Sequence, residues 1–423
     1  MSGPSHDPSG DERAVAAVPH ASPFVALQHR EYRLLLGGEF ISTLGQRMQT
    51  VAISYQVYQL HHSAVELGLL GLVRLVPVLL FSLAGGVIAD QVDRRRLLLA
   101  TQPALLGCSL ALVLTTATGR ANIGVIYLIT ALAATISTVD SPTRQAFLPA
   151  LVPREHLRNA LSWSITTGEV ATIAGPALGG IAIGAVGIAG TYGFEAASFV
   201  AVILVFAGMR VRLGAAVDGP GGWHAALEGL RFIRGNDIVL AIMSLDFFAT
   251  FWGSATALLP VFADKILHVG PTGLGILFSA PAVGSVIGAV AMTAVSHRVR
   301  KPGWPLLIAV ASYGLATVGF GLSRTMPLAL LFLAGTGLAD TVSMTFRHQI
   351  LQLLTPDALR GRAAAAHQLF AGGGPQLGQM EAGVVAARFG TPFSVVSGGV
   401  ACIATVAIIA WLVPAIRRYH ARA

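Results

Sequence analysis

The sequence is poor in charged residues, cysteine and lysine, and each shortage excludes a class of protein. Only 11% of its 423 residues are charged, whereas a soluble domain carries about 25%. Most of the protein surface therefore cannot be exposed to water. The two cysteines lie in apolar stretches and indicate neither a disulfide framework nor a metal cluster. Neither of the two lysines belongs to a G-x-x-x-x-G-K-[ST] loop, which excludes an ATP-driven pump of that type.

The histidines and the net charge exclude two further classes. The twelve histidines form no H-E-x-x-H motif and no cluster with aspartate, so the sequence predicts no metal site and no enzyme. The net charge of +8 comes from basic residues in short clusters between apolar runs, which suits a membrane surface better than nucleic acid. We therefore expect a lipid bilayer as partner, with no nucleic acid, metal or cofactor.

Apolar sequence dominates the rest of the chain, with 54% hydrophobic residues and 48 glycines, which let membrane helices approach closely. Runs of about 20 residues, long enough to cross a bilayer, recur twelve times. Each run is predicted to be helical, because a backbone in lipid must satisfy its own hydrogen bonds. The predicted spans are residues 34–59, 66–89, 97–118, 122–140, 158–183, 188–209, 237–260, 272–296, 304–323, 327–346, 364–387 and 393–414.

The lysines and arginines around these spans predict how the chain is oriented. With the N-terminus in the cytoplasm, twenty-two of the 28 basic residues fall on the cytoplasmic side and four on the other, while Arg47 and Arg74 fall within spans. This excess follows the positive-inside rule for all twelve spans. Both termini are therefore predicted to be cytoplasmic, in a multi-pass protein of the bacterial plasma (inner) membrane.

A weak internal repeat divides the spans into six and six. The stretch DSPTRQAFLPALVPREHLRNAL after span four matches DTVSMTFRHQILQLLTPDALRGRA after span ten, and Arg144 and Arg347 are offset by 203 residues. Matched stretches predict two parallel halves related by an axis along the membrane normal. The predicted units are a disordered cytoplasmic tail (1–33), an N-terminal six-helix bundle (34–209), a cytoplasmic linker with an amphipathic helix (210–236), a C-terminal six-helix bundle (237–414) and a cytoplasmic tail (415–423).

Four stretches carry a resemblance to a known family: LGQRMQTVAISYQVYQL, GGVIADQVDRRRLLL, FLPALVPREHLRNAL and ILQLLTPDALRGR. Over essentially its whole length the sequence resembles a major facilitator superfamily transporter, and it is most similar to the branch of the bacterial enterobactin exporter and macrolide-efflux-like proteins. The resemblance implies an all-α polytopic membrane protein with twelve transmembrane helices in two pseudo-symmetric six-helix bundles. It implies no catalytic residues, and we expect a monomer.

The turn between spans two and three resembles the facilitator motif G-x-x-x-D-[RK]-x-G-[RK]-[RK]. Gln91 replaces a basic residue of the motif and Asp93 replaces its glycine. In the family this turn latches the cytoplasmic side closed, since a carboxylate can pair with an arginine or a helix end in one state only. Alternatively, the arginines are ordinary positive-inside anchors. The matching residues, predicted as a gating motif, are Gly86, Asp90, Arg94 and Arg95.

Asp90→Asn is expected to abolish most transport without abolishing membrane insertion. An acid contributes little to orientation, so its main effect should be on the latch. Transport and the amount of the variant in the membrane are measured on the same cells, and full transport by the variant would refute the latch.

Ionisable residues inside spans are functional candidates by default, because they are costly in lipid unless paired or hydrated. At ~1.5 Å per residue, Arg47, Arg74 and Glu169 lie about 18–23 Å from the cytoplasmic end of their spans, which predicts a buried cluster. Such a cluster either neutralises itself structurally or uses Glu169 to carry a proton or meet a cationic substrate. Asp140 and Glu195, near span ends, are expected to be interfacial. The other candidates for proton coupling or substrate binding are Glu39, Asp246, Asp340 and Glu381.

The stretch GPALGG resembles the span-five antiporter motif of the family, whose core is G-P-x-x-G-G. Proline frees a carbonyl and glycines allow close packing, so a small-residue packing seam is the alternative interpretation. Aromatic residues of span seven, Phe247, Phe248, Phe251 and Trp252, are candidates for an apolar binding surface. The matching motif residues are Gly175, Pro176, Gly179 and Gly180.

These features together predict a secondary active transporter. The expected function is proton-coupled efflux of small amphiphilic compounds, either drugs or a siderophore-like metabolite, by alternating access. The alternatives are a facilitator or importer of another small solute, and a membrane-embedded sensor that transports nothing.

Overall fold

The structure, a computed structural model, describes residues 23–209, 231, 233–295, 299, 301–356 and 359–418. Within these ranges, nothing is described of the side chains of residues 82–91, 145–147, 149, 360–371 and 418. The described residues form helices and connecting turns, with no β-strand among them. The linker is predicted to contain an amphipathic helix that presents Trp223, Leu227, Leu230 and Ile233 to the membrane surface. The first three lie outside the described residues, whereas Ile233 is described and is buried in a cluster with Val239 and Met243.

Twelve long helices follow one another along the described chain. The segment Leu157–Gly208 contains two of them, because Gly187, with φ 75° and ψ 177°, adopts a backbone conformation open almost only to glycine. The part before Gly187 is α5 (157–186) and the part after it is α6 (188–208). The others are α1 (Arg30–His61), α2 (Ala64–Gln91), α3 (Arg94–Ala117), α4 (Ile123–Phe147), α7 (Asp237–Trp252), α8 (Gly270–Val295), α9 (Gly303–Leu322), α10 (Met326–Leu354), α11 (Arg360–Phe389) and α12 (Thr391–Leu412). Short turns of helix fill Ala255–Ile266, and α13 (Pro414–Arg418) follows α12.

The predicted twelve-span, all-α fold is confirmed. Nine helical segments of the described chain are long and apolar enough to cross a membrane, and one of them, residues 154–208, holds both α5 and α6. The remaining two, α1 and α11, are just as long but carry more polar and charged residues. Such residues are tolerated at membrane depth where a helix faces protein or a cavity instead of lipid.

Helices α4 and α10 run further than predicted, which corrects the spans 122–140 and 327–346. α4 continues to Phe147 and α10 to Leu354. The added turns carry the repeated arginines, which pair with acidic side chains inside the bundle. The sequence predicted loops there from the charges, but those charges are neutralised within the protein and the helices continue.

Helix α7 is shorter than predicted, because the regular helix of span 237–260 ends at Trp252. A side chain on Gly253 would collide with the ring of Tyr313. The Tyr313 hydroxyl instead donates a hydrogen bond to the Gly253 carbonyl (3.0 Å). A carbonyl at the break is thus satisfied by a side chain, as a helix interrupted within a membrane requires.

Residues 23–33 fold against α5, which corrects the disordered tail predicted for residues 1–33 over its described part. Asn159 and Trp163 of α5 both donate hydrogen bonds to the Pro23 carbonyl (2.8 and 2.9 Å). These contacts tie the chain before α1 into the packing of the first half. At the other end, α13 likewise packs beside the start of α9.

The apolar core is shared between the halves at one end of the bundle and divided at the other. We call the end where α1 begins the near face, and the end where α2 begins the far face. On the far side, one cluster of buried residues joins both halves and includes Tyr58, Leu274 and Phe320. On the near side no described cluster joins the halves: the first half has a cluster around Leu98, and the second half has clusters around Ile350 and Val239. The structure is therefore closed at the far face and divided at the near face.

Paired glycines bring the halves together near the far face. α5 crosses α8 where Gly180 faces Gly275, and α2 crosses α11 where Gly68 faces Gly383. A Cβ added to Gly180 would lie 2.9 Å from the Gly275 Cα, and one added to Gly68 would lie 3.1 Å from the Gly383 Cα. Closure at the far face therefore depends on small residues at both crossings.

Gly180→Ala should shift the molecule away from the closed far face. Overpacking of this kind costs about 1–3 kcal/mol, which changes the ratio of closed to open molecules about 5-fold to 150-fold. Spin labels at Arg120 and Arg324, exposed in far-face loops of the two halves, should report longer distances by pulsed electron paramagnetic resonance in a cysteine-free background. In the matched control Gly193→Ala, no atom lies within 4 Å of the added carbon. Identical distance distributions in the two variants would contradict the role of the crossing.

Candidate functional site

Among the cavities between the described helices, three are lined by ionisable residues and are considered as candidate sites. Cavity A, about 540 Å³, lies between α1, α4 and α5. Cavity B, about 500 Å³, lies mainly between α1, α2 and α4, and cavity C, about 550 Å³, mainly between α5, α8 and α10. Their described ionisable lining residues are Glu39, Asp140 and Arg144 in A, Arg74 in B, and Glu169 and Asp340 in C.

Asp140 is held by three donors at the wall of cavity A. Its carboxylate pairs with Arg144 one helical turn later (2.7 Å) and accepts hydrogen bonds from Thr101 and Gln102 of α3 (both 2.6 Å). Only 5% of Asp140 is exposed. Short bonds between charged groups are strong, so Asp140 and Arg144 form a fixed pair.

Arg144 interacts with carboxyl groups from three helices. Besides Asp140, it lies within electrostatic range of Glu39 on α1 and Glu195 on α6. Its guanidinium carbon also lies 6.0 Å from the centroid of the Phe206 ring. Three ionised acids would exceed the charge of one guanidinium, and excess charge at membrane depth is costly. The negative charge of the three ionised acids around Arg144 would therefore be only partly compensated by its guanidinium.

Glu195 is fully buried, at 0% exposed. Ser198 donates a hydrogen bond to its Oε2 (3.2 Å), and Gly45 of α1 makes room for the same oxygen, where a larger residue would collide. The burial of Glu195 and Asp140 corrects the expectation that both are interfacial. The position of a residue along a helix predicts its depth in the membrane but not which side of the helix it occupies. Both side chains point into the bundle.

The second half also contains a buried arginine paired with an acid. Arg347 of α10 pairs with Asp246 of α7 (2.5 Å), and the two side chains are 7% and 2% exposed. Asp340, one of the candidates from the sequence, lies within electrostatic range of Arg347 and also lines cavity C. The offset of 203 residues between Arg144 and Arg347 thus connects two corresponding charged groups, one in each half.

The structure does not assemble Arg47, Arg74 and Glu169 into one cluster, which corrects that prediction. No ion pair within the described residues joins any two of them. Glu169 is within electrostatic range of Arg47 but lines cavity C, whereas Arg74 lines cavity B. α2, which carries Arg74, packs on α11, whereas α5, which carries Glu169, packs on α8. The two residues share one depth in the membrane but lie on different sides of the first half.

The predicted gating motif is only partly described. The side chains of Gly86 and Asp90 lie outside the described part of the chain. Arg95 donates hydrogen bonds to two carbonyls at the end of α6, those of Phe206 (3.2 Å) and Ala207 (2.9 Å). It therefore fixes the end of one helix to the start of another on the near side.

Asp93, which departs from the family motif, caps the start of α3. Its side chain accepts a hydrogen bond from the Arg96 backbone N–H (2.9 Å), and a carboxylate is favoured at a helix N-terminus. The motif's glycine is thus replaced by a residue with a local structural role, immediately before Arg94, the first residue of α3.

The GPALGG stretch contacts two helices through different residues. Gly175 lies against the Arg47 side chain, and Gly179 lies against the backbone of Met48, so both seat α5 on α1. Pro176 and Gly180 instead face α8 in the other half, where the Pro176 carbonyl approaches Gly275. One short motif therefore joins the packing within the first half to the far-face crossing between halves.

Two other sets of candidates lie away from the three cavities. Glu381 is half-buried on α11 and is absent from the described linings of all three. The aromatic residues of α7 pack on one another, with Phe247 and Phe251 stacked at 6.1 Å and Phe251 edge-on to Trp252 at 4.8 Å. They are also absent from these linings, as is Phe248.

Sequence reasoning missed Asp140, Glu195, Arg144 and Arg347 as candidates. The two arginines were counted among the loop charges that set orientation. Two signals pointed to them: the repeat that aligns Arg144 with Arg347, and the four-residue spacing from Asp140 to Arg144, which places an acid and a base on one helix face. Glu195 carried no comparable signal.

Comparisons with known proteins agree with this architecture. The family model described as transmembrane secretion effector matches residues 21–421. The enterobactin exporter EntS of Citrobacter koseri is 25% identical over 334 residues, covering 79% of this chain and 80% of that protein. EntS of Escherichia coli O1:K1 is 26% identical over the same shares.

Two solved structures share the fold at low identity. One is a bacterial homologue of the iron transporter ferroportin in an inward-facing state, with a TM-score of 0.68, 16% identity, and coverage of 89% of this chain and 98% of that one. The other is a bacterial homologue of the human lysosomal transporter Spinster, inward-facing and unoccupied, with a TM-score of 0.69, 15% identity, and coverage of 92% and 96%.

Proposed function

The chain belongs to the transmembrane secretion effector family of major facilitator transporters, and from that membership we propose that it is a proton-coupled exporter. The cargo is a small amphiphilic compound, either a drug or a siderophore-like metabolite as the name of its EntS relatives suggests. Protons entering the cell through an antiport cycle supply the energy. The protein resides in the bacterial plasma membrane, with both termini in the cytoplasm.

The observation that supports proton coupling is the charged group of cavity A. Asp140 and Arg144 form a short ion pair whose neighbours include the further acid Glu39 on the cavity wall. A proton on one of these acids weakens its attraction to Arg144, so the arrangement of α1 and α4 depends on protonation. A group that faces a cavity and changes its contacts on protonation is what an exchanger requires.

The arrangement of the core supports loading from the cytoplasm. With the predicted orientation, the divided near face is cytoplasmic and the closed far face is external. Cavities A and C both contain residues from the near part of α5, among them Ile165. Cargo enters between the halves there, and opening of the far-face crossings releases it outside.

The test begins with cells. Metabolites and drugs retained or released by cells with and without the protein identify a cargo, which is then added to proteoliposomes in the inside-out orientation with an acidic lumen. We expect cargo to accumulate in the lumen while a trapped pH dye reports loss of protons. Accumulation without proton movement would refute coupling, cargo equilibration alone would indicate a facilitator, and no flux would indicate a sensor.

A further inference from the structure

Arg74 provides a positive charge at the middle of the membrane, in the wall of cavity B. It lies ten residues into α2, which places it about 15 Å from the far end of that helix. No ion pair of Arg74 occurs among the side chains that the structure describes. A cation at this depth is costly unless water or a ligand compensates it, so cavity B is suited to a negatively charged occupant.

The rest of cavity B supplies neutral hydrogen-bonding groups. Its lining includes three glutamines, Gln46 and Gln49 of α1 and Gln376 of α11, together with hydroxyl groups of α4. The Gln376 Oε1 is buried and has no hydrogen-bond partner among the described residues. An occupant that donates a hydrogen bond, such as a hydroxyl group, would satisfy that oxygen.

The charge of cavity B differs from that of its neighbours. The described lining of cavity C contains two acids and no basic residue, and that of cavity A contains two acids and one arginine. The described lining of cavity B contains Arg74 and no acid. The acids that could bind a cation or a proton therefore line cavities A and C, whereas the positive charge of Arg74, unpaired among the described side chains, lines cavity B.

Cavity B also connects the two halves. Arg74 belongs to the first half and Gln376 to the second, and the backbone of α11 at Gln376 lies directly against Gly71 of α2. A ligand that contacts both residues bridges helices that must separate when the far face opens. Its presence can therefore influence the equilibrium between the two states.

We propose that cavity B is the cargo site and that it selects small acids bearing hydroxyl groups, with Arg74 binding the acidic group and Gln376 accepting from a hydroxyl. This inference rests on the proposed export function and narrows its cargo from amphiphilic compounds in general to hydroxylated organic anions. The volume of about 500 Å³ lies within the range of about 300–1,000 Å³ that is common for small-molecule sites.

The test measures binding to the purified full chain in detergent by isothermal titration calorimetry. The probes are 2,3-dihydroxybenzoate and its neutral methyl ester, which differ in charge but share the ring and hydroxyls. Because charge-assisted pairs are stronger than neutral hydrogen bonds, we expect the wild type to bind the acid about tenfold tighter than the ester. Equal binding of the two, or no binding of the acid, would overturn the proposal.

Variants locate the binding site within the protein. Arg74→Gln should remove the preference for the acid, while Arg74→Lys should keep much of it. Arg324→Gln, which removes an exposed arginine from a far-face loop, should leave both affinities unchanged. Gln376→Leu should weaken the acid and the ester alike, and it provides a second test should Arg74→Gln fail to fold. Unchanged binding in the Arg74→Gln or Gln376→Leu protein would place the ligand elsewhere.

The binding assay needs no gradient, so the two proposals can fail separately. Selective binding of the acid without pH-driven accumulation would refute the proposed export mechanism and keep this inference. Proton-driven transport of a cargo by a protein that binds acid and ester equally would support the proposed export mechanism and overturn this inference.

Discussion

Asp140→Asn should abolish accumulation of cargo against its gradient while downhill exchange continues. Asparagine keeps the shape and can still accept hydrogen bonds from Thr101 and Gln102, which donate to the carboxylate in the wild type. It has no charge to pair with Arg144, so the contacts between α1 and α4 should no longer respond to protonation of the acids around Arg144. Since one pH unit corresponds to about 1.36 kcal/mol, one-for-one exchange would sustain roughly a tenfold concentration ratio per pH unit. The variant should sustain a ratio of one.

The measurement uses inside-out proteoliposomes with an acidic lumen, and it compares the final ratio with the rate of exchange at equal pH. Asp237→Asn is the matched control, because it removes an exposed acid at the start of α7, away from the three cavities. We expect it to match the wild type in both assays. If Asp140→Asn still concentrates cargo as the pH gradient rises, coupling does not depend on the Asp140–Arg144 pair, and Glu39→Gln and Glu195→Gln are then compared in the same way.

Asp246→Leu should destabilise the protein strongly by leaving Arg347 buried beside a neutral side chain. Removing one member of a buried ion pair costs about 3–5 kcal/mol, largely because the other charge remains desolvated. Both side chains are at most 7% exposed, so water cannot easily replace the lost partner. The loss should appear as a lower midpoint for unfolding of α-helix in a detergent titration.

The double variant Asp246→Leu with Arg347→Met distinguishes the missing charge from the altered packing. With both members of the pair removed, part of the lost stability should return, since apolar residues can replace a buried pair at little cost. The rescue should be incomplete, because Asp340 loses the arginine that lies within its electrostatic range. Asp237→Leu, at an exposed position, should change stability by about 0.5 kcal/mol or less. A double variant as unstable as Asp246→Leu alone would show that packing, not charge, explains the loss.

The sequence was sufficient for the number of spans and for the family. Long apolar runs separated by basic clusters depend only on composition and order, and the structure bears out twelve helices. It was insufficient where charge lies inside the bundle. The stretch around Arg144 has the composition of a loop, but Arg144 pairs with Asp140 one turn earlier on the same helix. Thr101 and Gln102 of α3 donate hydrogen bonds to that carboxylate, so the charges lie inside the bundle and the helix continues to Phe147.

The predicted cluster of Arg47, Arg74 and Glu169 shows a second limit. The rise per residue places a side chain along the membrane normal but gives neither its direction around the helix nor the neighbours of that helix. Three residues at one depth could therefore be adjacent or separated. Packing of α2 on α11 and of α5 on α8 determines that they are separated. Those contacts join residues roughly 100 to 300 positions apart, and a local sequence pattern does not predict them.

The first helices of the two halves differ in continuity. α1 runs unbroken from Arg30 to His61, whereas α7 stops at Trp252 and short turns follow. An unbroken helix moves as a rigid body, whereas a break such as the one at Gly253 can act as a hinge. The outer end of the second half can therefore bend over a bound molecule while its inner end stays in place. The halves need not rock in unison, and the cycle can pass through an occluded state in which the cargo is sealed from both solutions.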